Sequence, residues 1–77
     1  MSLIIKPTTL IDNEDSNYIY IGKCIASGTT SPATNKEIWE ITRITMVDGK
    51  ATKIENGINK DNKAYLAWDQ RSTYNYI

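Results

Sequence analysis

The residues with the most chemistry to offer in this sequence are its rings, its two arginines and one tight tetrad, Trp68-Asp69-Gln70-Arg71. Tyr18, Tyr20, Trp39, Tyr65, Trp68, Tyr74 and Tyr76 supply aromatic surface to a chain without phenylalanine. Tyr and Trp join an apolar body to a polar tip, which suits surfaces that become interfaces. The same rings can stack on sugars or on nucleic-acid bases. Their plainer use is bulk for a thin core, because large side chains bury the most area. In the tetrad, an extended backbone places Asp69 and Arg71 on one face, where they can pair or form a polar clamp. A turning backbone instead lets Asp69 cap the turn through its own side chain. Arg71 or Arg43 against a Trp face makes a cation–π contact. The candidate interaction set is therefore Trp39, Arg43, Tyr65, Trp68, Asp69, Arg71 and Tyr74.

Catalysis finds little to work with. The sequence has no histidine, which removes the commonest general base and the Ser-His and Cys-His nucleophile pairs. Glu37 and Glu40 fall on opposite faces of a strand and cannot flank one bond. No Gly-rich loop follows a strand and opens a helix. Cys24 is the single cysteine, so no internal disulfide is possible and one thiol cannot build the usual Cys/His zinc site. The acidic cluster at residues 12–17 lacks the glycine and distal glutamate of a calcium loop and reads as a solvated connection. The expectation is a protein that is not an enzyme, with no catalytic residue, cofactor or metal.

Several elements must position these side chains. Residues 3–11 contain an apolar run, then Pro7 and two threonines, and suit an ordered arm or edge strand. Residues 18–25 alternate aromatic and β-branched types, placing Tyr18 and Tyr20 on one face and Ile19, Ile21 and Ile25 on the other. Gly22 inside that pattern suggests a bulge or a close backbone approach. Residues 26–35 are Ser/Thr/Gly-rich with Pro32 and read as a long loop. Residues 37–47 carry Ile38, Ile41 and Ile44 at helix-like spacing. Their β-branched density and the Asp48-Gly49 pair that follows make them a strand feeding a type I′ hairpin. An uninterrupted hairpin pairs Val47 with Lys50, Thr45 with Thr52, Ile44 with Lys53, Arg43 with Ile54 and Thr42 with Glu55. Its half-solvated face then holds Lys53 and Glu55, and the other holds Trp39, Ile41 and Val47. Asn56-Gly57 is a second turn signal, residues 58–63 read as loop and residues 64–68 as a short strand. Residues 69–72 look like a turn, and 73–77 a last strand or tail. The fold class expected is all-β: a small antiparallel meander of four to five strands, sandwich-like or an open barrel. One domain spans residues 1–77, with 1–16 as N-terminal arm, edge strand and loop.

The totals constrain partners. A chain of 77 residues buries only about 60% of its unfolded surface. Small scaffolds commonly recruit disulfides, metals or partner chains, and elimination leaves oligomerisation. Nine Lys plus Arg balance nine Asp plus Glu, for a net charge of zero. That balance argues against nucleic acid, which needs positive charge, and favours self-association. No apolar run reaches the ~20 residues of a membrane helix, so no membrane partner is expected.

The succession Tyr20-Ile21-Gly22-Lys23, Thr30-Ser31 in a Gly/Ser/Thr loop, Trp39-Glu40-Ile41-Thr42-Arg43-Ile44, Asp48-Gly49 and Trp68-Asp69-Gln70-Arg71 ahead of Tyr74 resembles a group of short proteins. These proteins are encoded among the structural genes of tailed bacteriophages and prophages. The group's pattern is Y-x-G, W-x-I-x-R-I, a glycine turn and a terminal W-D-x-R, matched over roughly residues 18–76. Residues 56–63 depart from it, holding Lys and Asn where the group is more acidic and contains tryptophan. The resemblance implies a virion or tail-associated protein, assembled in the host cytoplasm, with no defined activity. The function expected is structural or assembly work through protein–protein contacts, with copies of itself or other virion proteins as partners. The alternative is a carbohydrate- or receptor-binding module, with a glycan stacked on Trp and Tyr. An OB-like binder of single-stranded nucleic acid comes last.

Overall fold

The protein is seen here as a computed structural model that describes residues 8–25 and 32–77. It is one open, antiparallel sheet with a short 3-10 segment. The strands are β1 (Thr9–Asp12), β2 (Tyr18–Cys24), β3 (Glu37–Val47), β4 (Lys50–Ile58), β5 (Leu66–Ala67) and β6 (Asn75–Tyr76), and Trp68–Thr73 form the 3-10 turn. The order across the sheet is β1-β2-β3-β4-β6, with β5 beside the start of β3. The all-β antiparallel expectation holds. The strand count is six, and the sheet does not close into a barrel.

β2 and β3 pair without interruption from Tyr18–Thr45 to Cys24–Trp39. Gly22 faces Ile41 within that ladder, so it marks no bulge. What approaches it is an indole: a Cβ at Gly22 would lie 2.6 Å from Cζ3 of Trp68. The Asp48-Gly49 corner forms as expected, with φ of 51° and 77°, the positive values a type I′ turn requires. Val47 pairs with Lys50. Beyond that the expected register fails, because a bulge between Thr45 and Met46 leaves Thr52 without an opposite residue. Thr45 then meets Lys53, Ile44 meets Ile54, Arg43 meets Glu55 and Thr42 meets Asn56. A one-residue slip turns every later side chain to the other face. Lys53 and Glu55 therefore share the face of Trp39 and Ile41. Asn56-Gly57 is no turn, since both residues continue β4.

Cross-strand partners share a face, so the sheet has two distinct sides. The inner side holds Tyr20, Cys24, Trp39 and Ile41, covered by Leu66, Trp68 and Tyr76 from the C-terminal quarter. Trp39 is wholly enclosed, and its indole N–H donates to the Ala33 carbonyl at 3.0 Å. The tilted Trp39–Trp68 ring pair, 6.1 Å apart, ties sheet to cover. Residues 69–72 wind into the 3-10 turn rather than a single reverse turn, and 75–76 form the short last strand. Part of the arm (1–7) and of the loop (26–31) lies outside the described residues.

Gly22→Val should lower unfolding stability by about 1–3 kcal/mol through overpacking against Trp68. Thr9→Val, at an exposed edge, should change it by less than about 0.5 kcal/mol. Urea titration followed by Trp fluorescence reads both.

Candidate functional site

The candidate interaction residues separate into three places. Trp39 and Trp68 lie in the core, with Arg71 stacked 4.6 Å over the Trp68 ring. Arg71 also donates to the Trp68 carbonyl at 3.1 Å and to Asp12 at 2.9 Å. Its acidic partner is thus Asp12 of β1, not Asp69, whose backbone N–H donates to the Thr34 carbonyl while the residue faces solvent. The Tyr74 hydroxyl accepts the Ala67 N–H at 2.9 Å, which fixes that ring against the cover. Arg43 stands apart from both tryptophans. Its guanidinium lies between the rings of Tyr18 (4.6 Å) and Tyr76 (4.5 Å) and donates to Glu55 at 3.0 Å. Tyr65, at 52% exposure, is the most open ring.

The electrostatics mark these as structural joints. The Glu14 backbone N–H and then Arg71 hold the Asp12 carboxyl below its usual range. The Arg43 hydrogen bond does the same for Glu55. Burial is the largest single influence on Arg43 and works against its charge, but the hydrogen bond and charge of Glu55, with Tyr18 and Tyr20, together outweigh it and the net shift is upward. Burial pushes the Tyr76 phenol well up, and its hydroxyl donates to the Arg71 carbonyl. The carboxylates of Asp12, at the end of β1, and of Asp15 in the loop that follows accept N–H bonds from Glu14 and Asn17. Among the described residues no group of three acidic or cysteine side chains is placed to hold a metal.

The surface that residue-by-residue reasoning missed lies on the other side of the sheet. One row crosses four strands as Ile11, Ile21, Thr42 and Asn56, and the next runs Ile19, Ile44, Ile54. Met46 and Ala51 extend it toward the hairpin. Ile11 and Ile54 stand out at the margins, 67% and 69% exposed. At the opposite border Lys23 lies beside Glu40. A hollow of about 370 Å³ opens there between Ile21, Lys23, Glu40, Thr42, Asn56 and Ala64. No described element covers this side. Its signal in the sequence was the alternation of Ile19 and Ile21 with the tyrosines. The part supplied by β4 was hidden by the bulge.

Among the described residues no helix is long and apolar enough to cross a membrane. No family model matches the chain, and no curated protein or solved structure does.

Asp12 and Glu55 have lower pKa values folded than unfolded. The stability they add is complete above the unfolded carboxylate range, about pH 4, and is lost as pH falls through the folded values. Calorimetry should show a melting temperature that drops below about pH 4. The double variant D12N/E55Q should melt lower at pH 7 and show a shallower acid decline.

Proposed function

We propose that this chain is a non-catalytic assembly protein of a phage or prophage particle, acting through protein–protein contacts. The observation that carries the reading is the uncovered sheet face with its isoleucine rows. Soluble monomers seldom expose contiguous apolar patches larger than a few hundred Å², and broader ones mark contact surfaces. An antiparallel sheet commonly leaves one face to water, and that face is then polar; here the face that no described element covers carries isoleucine rows instead.

Two further observations support the reading. The net charge of zero offers no electrostatic barrier to dense packing of many copies. The sequence pattern from Tyr20 to Tyr74 resembles the short proteins of phage structural gene clusters. The sugar-binding alternative loses both its indole platforms, because Trp39 and Trp68 are enclosed, and keeps Tyr65 as its one open ring among the described residues. On this reading the partners are other copies or other virion proteins, and the location is the particle.

Mass spectrometry of particles purified from an induced prophage or phage lysate should detect peptides of this chain at a fixed ratio to the major structural proteins. Their absence from washed particles would overturn the proposal.

A further inference from the structure

We infer that the open face is the contact between two copies of this chain, packed face to face about a two-fold axis, with Lys23 of each copy opposite Glu40 of the other. The inference rests on the assembly reading and adds the identity of the first partner.

Three routes to association are open to such a sheet: two by its edges and one by its face. The edges are guarded. The outer edge of β4 is covered by β6 only at Gly57 and Ile58 and by Ile77 at Asn56. Its open stretch carries Lys50, Lys53 and the bulge around Thr52, which are the devices that discourage strand addition. The β1 edge is four residues long, too short to template much pairing. The face has no such guard. Its central rows, from Ile11 to Asn56 and from Ile19 to Ile54, contain no charged residue.

The charges at the border suit a second copy. In a two-fold contact the same patch meets itself, so a border of one sign would be repelled. Here one lysine and one glutamate sit side by side on β2 and β3, both exposed. Among the described residues neither makes an ion pair, although the two are direct cross-strand neighbours. Each is available to a counterpart arriving from outside. Shape agrees with charge. Ile11 and Ile54 are the open residues at opposite margins, Ile19, Ile21 and Ile44 between them are half-buried, and the hollow beside Lys23 and Glu40 gives a side chain from the second copy a place to enter.

Dimensions fit as well. The molecule measures 48 × 29 × 17 Å; its thin axis holds one sheet and one cover. A second sheet at the ~10 Å spacing of packed sheets completes a sandwich. The molecule's 48 and 29 Å axes bound that face from above, and the about 800 Å² that each partner buries in a standard stable interface lies within the bound.

Sedimentation equilibrium on the full chain tests this. Wild type should show the mass of two chains. Ile44→Asp should raise the dimer Kd by at least about 100-fold. Lys23→Glu and Glu40→Lys should each raise it by about tenfold, and the double variant K23E/E40K should return to within about threefold of wild type. Matching circular dichroism melts at concentrations where all are monomeric show that the variants fold. If Ile44→Asp does not fold, the charge series decides alone. A single-chain mass at the highest soluble concentration overturns the inference and assigns the face to a different protein. A dimer indifferent to charge reversal also overturns it. Either result leaves the assembly proposal standing if the chain is found in particles, and a dimer absent from particles would sink that proposal alone.

Discussion

One extra residue in β4 governs what both sides of this sheet become. With Thr52 bulged out, every side chain from Lys53 to Asn56 is turned over relative to a simple hairpin. Glu55 arrives opposite Arg43 on the inner side, and Ile54 arrives opposite Ile44 on the outer. Undo the bulge and Arg43 would stand between two tyrosine rings without its carboxylate, while Glu55 would break the apolar outer rows. The bulge is held locally: the Thr52 hydroxyl donates to the Thr45 carbonyl at 3.2 Å. A bulge also bends its strand and increases local twist, which suits an exposed hairpin end.

The inner side shows how a small chain makes a core without phenylalanine. Trp68 is its hub. It lies on Gly22, faces Trp39, and carries Arg71 on its ring. Arg71 in turn reaches Asp12 on the far strand, so the last turn is tied to the first described strand. Partly exposed ion pairs contribute little alone, about 0–1 kcal/mol each. Their effect here lies in fixing where the cover sits. Gly57 repeats the logic of Gly22, for a Cβ there would lie 2.7 Å from Leu66 and 3.0 Å from Tyr76. Both glycines are spaces left for a ring or a branched chain.

Much of the fold was legible. The alternation in residues 18–25 and the Asp48-Gly49 corner identify β2, β3 and the hairpin, because period and turn chemistry are local properties. The bulge was not legible, since Thr52 differs in nothing from a paired threonine until its partner strand is known. Asn56-Gly57 misled for a related reason: a glycine kept for close packing carries the same letters as one kept for positive φ. At the candidate site, the Arg71–Trp68 stack was foreseeable from three-residue spacing. The Arg43 sandwich needed Tyr76, 33 residues on by sequence number. The outer face was only half visible, because Ile54 joins it through the slipped register.

The cover follows the sheet along the chain, with Leu66, Trp68 and Tyr76 coming after β2, β3 and β4. Until those residues dock, Trp39 and Ile41 have no shield. A sheet paired without its cover is therefore sticky on both surfaces, and that intermediate is where this chain is most prone to entangle with its siblings.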